Sequence, residues 1–343
     1  MVQAIVREIE LQKNYLQGQE VNTIYFGGGT PSLLSEDELE LLLNALHHNF
    51  SIARNPEITL EANPDDLSPA SLKNMAAAGI NRLSIGIQSF HEPHLKRMNR
   101  AHDATEAANC VQLAQNAGFH NISIDLIYGV PAPGHSIWLE DLQKAFSLQV
   151  QHISSYALTI EPKTAFGKWA ATGKFTGSTD DFVAEQFEIL LEQMQAHDFE
   201  QYEISNFCRP GFYSRHNSNY WRGVPYLGLG PSAHSFSGTS RQHNIANNAI
   251  YMHELAESKI PFELDELTPE DQINEYILTS LRTKWGTDLA KLKKEKSVDL
   301  LQLHKTYLQS LLQKEMVRIE DDVLYLTDSG KLLADKIAAD LFV

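Results

Sequence analysis

Gly27, Gly28 and Gly29, followed by Thr30, Pro31 and Ser32, are the first residues of this 343-residue sequence whose types could hold a ligand. Three successive glycines remove every Cβ from a turn, so backbone N–H groups can approach a polar or anionic group and take positive φ without strain. Thr30 and Ser32 add hydroxyls, and Pro31 stiffens the exit. Three further polar groups sit in or just beyond apolar runs, Glu61 in I-T-L-E-A-N-P, Gln88 in R-L-S-I-G-I-Q-S-F and Asp125 in N-I-S-I-D-L-I-Y-G-V-P, with H-I-S-S-Y-A-L-T-I as a fourth run of the same kind; Arg100 follows Asn99 on a helix flank. A carboxylate inside a run as apolar as the one around Asp125 needs a partner to be tolerated. A different chemistry is offered by R-H-N-S-N-Y-W, read as a loop: His216 supplies an imidazole suited to iron, and Tyr220 and Trp221 supply flat surface for a macrocycle. His234, in the glycine-rich Y-L-G-L-G-P-S-A-H-S, is a reserve imidazole. Each group also has a plainer reading. The glycines serve a tight strand-to-helix turn, Asp125 caps backbone, Arg100 is a solvated flank, and His216 donates to backbone beside aromatic core residues.

The elements that must position these residues alternate in period. Short β-branched and aromatic runs predict strands over 21–26, 58–64, 82–90, 121–131, 152–160 and 199–207. Between them, amphipathic stretches predict helices over 2–16, 35–50, 68–78, 104–117, 137–148 and 180–196, with Ser35 and Glu38 as a capping box and Gly79 and Gly118 as stops. Strand and helix alternating in this way give an α/β fold with a parallel sheet or barrel, and such folds gather their sites at the carboxyl ends of strands. From Thr268-Pro269-Glu270-Asp271 the character changes to helices through 281, over 288–295 and over 298–314. A strand pair over 317–319 and 323–326 turns at Asp321-Asp322, and a last helix runs to 341.

Composition narrows the function. A chain with 43% hydrophobic residues can bury a large core, and a formal net charge of −16 argues against nucleic acid and against anionic lipid. Lys291, Lys293, Lys294 and Lys296 alternate with other residue types and read as a solvated face. No apolar run has the length of a membrane span and the amino terminus lacks an apolar signal core, so a soluble cytoplasmic protein is expected. The two cysteines, Cys110 in a helix and Cys208 in a loop, exclude a disulfide framework and a conventional iron–sulfur site.

G-G-G-T-P-S, E-A-N-P, S-I-G-I-Q-S-F, Asn99-Arg100, S-I-D-L-I-Y-G-V-P, H-N-S-N-Y-W and L-G-L-G-P-S-A-H-S-F together resemble the radical S-adenosylmethionine proteins related to oxygen-independent coproporphyrinogen III oxidase. The H-N-x-x-Y-W element resembles their heme-chaperone branch, HemW. The resemblance implies a partial (β/α)6-type barrel over 1–207, an extension over 208–266 and a winged-helix-like domain over 267–343. It also implies S-adenosylmethionine held by Gly28, Gly29 and Thr30 at its amino-acid end, by Glu61 and Arg100 as charge partners, and by Gln88 and Asp125 at the ribose hydroxyls. His216 is then the heme-iron ligand. In the family a first strand and a C-x-x-x-C-x-x-C loop holding a [4Fe–4S] cluster precede the first helix, and this sequence contains neither. A gene boundary placed too far downstream is the reading favoured by the intact pocket residues, and a real loss of the cluster is the other. Without the missing strand, the strand over 21–26 becomes a sheet edge. The leading function is a heme carrier serving respiratory proteins. A radical oxidase of porphyrinogen propionates in porphyrin biosynthesis is the alternative, and an inert fragment the third.

Overall fold

The structure is a computed structural model and describes residues 1–161, 165–173 and 175–343. Among these residues, β1 (Val21–Phe26), β2 (Ile52–Ala62), β3 (Arg82–Gln88), β4 (Ile122–Tyr128), β5 (His152–Ala157), β6 (Glu200–Glu203) and β7 (Asn206–Cys208) form one curled half-barrel sheet in the order β1-β2-β3-β4-β5-β7-β6. Strands β2 to β5 pair in parallel. β1 is an edge strand, as expected for it.

The chain forms two compact units, one of Met1–Ile24, Ser35–Glu57 and Arg215–Val343, the other of Tyr25–Leu34 and Ile58–Ser214. In the second, alternation along the strands decides which side chains meet the helices. Leu60, Leu83, Ile85, Ile122, Ile124 and Leu126 are fully buried, while the intervening positions are mostly polar. Most parallel sheets are apolar on both faces, so a polar face marks a sheet that shelters something other than a helix. The helices begin at local side-chain caps. Ser68 caps Pro69–Ala78 and Asp103, with Glu106, caps Ala104–Asn116, while Gly79 stops the first at φ 100°. The strand expected over 199–207 is instead a hairpin, β6 turning into β7, which pairs antiparallel to β5. The Glu203 carboxylate accepts from the Ser205 N–H at 3.0 Å and from Asn206 Nδ2 at 2.6 Å, folding the turn back without glycine or proline. Cys208 therefore lies in a strand and not in a loop.

In the first unit the opening helix is Val2–Leu11, shorter than the expected 2–16, and Ser35 with Glu38 forms the capping box of Glu36–Asn49. An antiparallel sheet that sequence reasoning did not foresee has the order β10-β9-β8, built from β8 (His234–Phe236), β9 (Ser240–Asn244) and β10 (Phe262–Glu266). The carboxyl-terminal part is winged-helix-like. Helix Pro269–Leu281 starts at a Thr268–Asp271 capping box, and β11 (Thr287–Asp288), β12 (Val317–Glu320) and β13 (Val323–Leu326) pair in the order β11-β13-β12. Asp321 and Asp322 both take positive φ, 50° and 60°, the conformation a two-residue hairpin turn demands. The helix expected over 298–314 is two pieces, Leu300–Leu303 and Lys305–Gln313, because His304 leaves helical geometry at φ −109° and ψ 31°. The last helix is likewise split into Asp328–Lys331 and Ala334–Asp340. Gly330, within the first piece, lets the Met316 carbonyl approach: a Cβ there would lie 1.9 Å from its oxygen. No helix of the described residues is long and apolar enough to cross a membrane.

Candidate functional site

Register brings the polar strand positions of the second unit together. Glu61 is paired with Ser84, Ser84 with Ser123, and Asp125 with Ser154, and paired residues of parallel strands point to the same side. Glu61, Ser84, Ser123, Asp125 and Ser154 thus share one face. Glu61 is fixed at both oxygens: Oε1 accepts from the Tyr25 hydroxyl at 2.8 Å and Oε2 from the Gly28 N–H at 3.1 Å. Gly28 and Gly29 take φ of 70° and 65°, the left-handed conformation that bare glycine allows, and Thr30 leads into the short turn Pro31–Leu33.

Strand β3 loses regular register between Ile85 and Gln88, and Gln88 sits at φ 68°, costly for a residue with a Cβ. The Gln88 amide folds back over Gly86, where a Cβ would lie 2.8 Å from Nε2 and 3.4 Å from Arg100 Nη2. Arg100 donates through Nη2 to Asn63 Oδ1 at 2.8 Å and to the Gly86 carbonyl at 3.1 Å. Its buried Nε has no hydrogen-bond partner among the described residues. Burial pulls the Arg100 guanidinium down from its ordinary value, against the charges of Asp65 and Asp125.

Burial pushes the Asp125 carboxyl up to about 6; the Ser154 hydroxyl, Arg82 and Ser84 oppose this, and the charge of Glu61 adds to it. The Ser84 hydroxyl is 3.5 Å away. Below lies a polar floor. Ser123 Oγ is 2.7 Å from His152 Nδ1, His152 Nε2 is 2.7 Å from the Tyr202 hydroxyl, and burial pushes the imidazole well below its ordinary value. Arg82 is 1% exposed on the same face. Sequence reasoning missed Tyr25, Asn63, Arg82, Ser84 and Ser154. The signal for the strand residues was parity, since Arg82 and Ser84 alternate with the apolar Leu83 and Ile85.

His216 belongs to the first unit and lies on the helix Arg215–Trp221, not on a loop. The Glu57 carboxylate accepts from the backbone N–H groups of Arg215 and His216 at 3.1 and 2.9 Å, starting that helix. Four residues on, the Tyr220 hydroxyl is 2.8 Å from His216 Nε2, while Thr23 Oγ1 is 2.9 Å from Nδ1. Tyr220 stands edge-on to Tyr226 at 4.6 Å between centroids, so the imidazole heads an aromatic row. Cys110 and Cys208 are both buried, and burial pushes the Cys110 thiol up to about 12. Two such thiols do not furnish the three thiolates of a cluster, and among the described residues no group of three or more His, Cys, Asp or Glu could hold a metal ion.

A model of the Radical SAM superfamily matches residues 2–142, and one of the HemN C-terminal domain matches residues 267–333. The heme chaperone HemW of Bacillus subtilis (strain 168) is 35% identical over 320 residues, covering 93% of this chain and 84% of that protein. The chain belongs to the HemW family. A second HemW, from Mycobacterium tuberculosis (strain CDC 1551 / Oshkosh), is 33% identical over 98% of this chain and 85% of its own length. The solved structure of coproporphyrinogen III oxidase (HemN) from Escherichia coli, a radical SAM enzyme, aligns with a TM-score of 0.83 over 99% of this chain and 82% of that one. Its 22% identity makes the likeness one of fold. Residues of this HemW-family chain with family motifs thus fall in both units, the glycine turn and strand tips in one, His216 and His234 in the other.

Proposed function

We propose that this chain is a heme carrier of the HemW type that also binds S-adenosylmethionine, working in the cytoplasm and passing heme to respiratory proteins. The observation that supports it is the set of polar groups on one side of the sheet, with Glu61 bonded to the Gly28 N–H and the ends of Gln88 and Arg100 meeting over Gly86, in a chain whose HemW relatives match nearly all of its length. The residue types suit the cofactor. The backbone of Gly28, Gly29 and Thr30 lies beside Glu61, which would take the ammonium, and the unpartnered Arg100 Nε–H is available to the carboxylate. Gln88 and Asp125 would take the ribose hydroxyls. A porphyrinogen oxidase, whose fold this chain shares, is the alternative reading.

Gly86→Ala tests the pocket without replacing a polar side chain. The added methyl meets the free end of Gln88 and displaces it, so the fold is expected to persist with an unchanged melting temperature. S-adenosylmethionine binding weakens by roughly tenfold to a hundredfold, the loss of one or two polar contacts. Full affinity would separate Gln88 from the cofactor.

For heme, His216 is the proposed iron ligand, and ligation through Nε2 requires the Tyr220 hydroxyl to leave it. His216→Ala is expected to weaken hemin binding and shift the Soret band, and an identical titration dismisses the assignment. Tyr220→Phe removes the competing hydrogen bond and should strengthen hemin binding about threefold to tenfold, one net hydrogen bond.

A further inference from the structure

A cavity of about 460 Å³ opens in the first unit beside β8, β9 and β10. This is within the roughly 300–1,000 Å³ of sites that take small organic ligands. Its lining includes His234 and His243 together with the apolar Ile245 and Pro261. Strand register explains the imidazole pair. Glu263, His243 and His234 are successive partners across the three strands and form a row. The Asn244 N–H bonds the Ala233 carbonyl at 2.9 Å, so His234 and His243 form the adjacent pair without mutual backbone bonds, where side chains stand closest. Their rings stack at 5.6 Å between centroids and 25° between planes. His243 Nε2 is 3.3 Å from the Glu263 carboxylate, whereas the His234 imidazole makes no hydrogen bond to any described residue. The glycine-rich loop holds His234 in place: a Cβ at Gly228 would fall 2.1 Å from the His234 carbonyl oxygen, and the Gly228 N–H donates to Ser235 Oγ at 3.0 Å.

One uncommitted imidazole cannot hold a bare cation, which needs three or four protein donors. It suffices for an iron whose four equatorial ligands come from a macrocycle. We propose that this cavity is an iron-porphyrin site of its own, separate from the His216 element, in which His234 would ligate the iron and Ile245 and Pro261 would lie against the ring. This rests on the heme-carrier reading above, and under it the glycine-rich loop serves to present an imidazole to a cavity.

The experiment is a hemin titration followed at the Soret band, carried out in the His216→Ala background. That variant is expected to keep a hemin-binding component, and adding His234→Ala should weaken it by roughly tenfold or more, since removing even a supporting group costs a metal site that much. Metal-free protoporphyrin, which has no iron to ligate, should bind equally with and without His234→Ala and should lose affinity with Ile245→Ala. His234 is exposed, so the substitution leaves the core intact. The proposal is overturned if His216→Ala alone removes all hemin binding, or if adding His234→Ala changes nothing. Absence of hemin binding to the unaltered protein would overturn the carrier reading as well, so the two failures are distinguishable.

Discussion

The double variant Gln88→Ala, Asp125→Ala is expected to lose S-adenosylmethionine affinity by roughly thirtyfold or more in calorimetry. Hydrogen bonds to a charged group are worth about 1.5–3 kcal/mol and neutral ones about 0.5–1.5 kcal/mol when a partner is deleted. Losing the Asp125 carboxylate and the Gln88 amide together therefore removes about 2–4.5 kcal/mol, roughly thirtyfold to two-thousandfold in affinity. Both side chains are half-buried at the polar face and neither belongs to the apolar layer that holds the helices, so the fold should survive. Unchanged affinity in a cooperatively folded double variant would remove these residues from the pocket.

The same carboxylate sets a pH dependence. Its value in the fold, about 6, lies above the ordinary 3.8, so the folded chain favours the neutral acid. The stability this contributes is present below the ordinary value and is lost as pH rises through about 6. Binding runs the other way. A ribose hydroxyl donates best to the ionised carboxylate, so affinity should fall as pH drops through about 6, and Asp125→Asn should flatten that profile.

What could be read in the sequence was whatever depends on neighbours along the chain. The apolar run of Leu83, Ile85 and Ile87 marked the strand, and Ser35 with Glu38 and Thr268 with Pro269 marked helix starts through local hydrogen bonds. What could not be read depends on pairing across distance. The hairpin β6–β7 lacks glycine and proline punctuation because a carboxylate, Glu203, makes its turn. Strands β8 to β10 are short, and all five residues of β10 are exposed, so no hydrophobic alternation announces them. The clasp of Arg100 on Asn63 joins residues 37 apart in sequence, and nothing local signals it.

Glu8→Ala is expected to cause the largest loss of stability in the first unit, for reasons that only the folded chain exposes. Glu8 lies on the opening helix Val2–Leu11 and is fully buried. Its carboxylate accepts from the Gly230 N–H at 2.8 Å, Asn244 Nδ2 at 2.6 Å and the Tyr251 hydroxyl at 2.5 Å, contacts that reach across 222 to 243 residues. Burial pushes the Glu8 carboxyl up, and the three hydrogen bonds offset this only in part. Alanine would leave three buried donors without that acceptor, each costing about 1–3 kcal/mol, so a total of roughly 3 kcal/mol or more is expected even after local relaxation. Set against the about 5–15 kcal/mol that hold a typical domain together, that is a large share. Glu8→Gln keeps the shape and one acceptor oxygen but turns an amide donor toward other donors, so it should fall between alanine and the native residue. Denaturant titration measures the series, and an alanine variant within about 0.5 kcal/mol of the native chain, the range of an ordinary surface change, would show that the carboxylate holds nothing. Because Gly230 lies in the loop that presents His234, the alanine variant should also loosen that loop, and amide exchange at Gly230 should quicken.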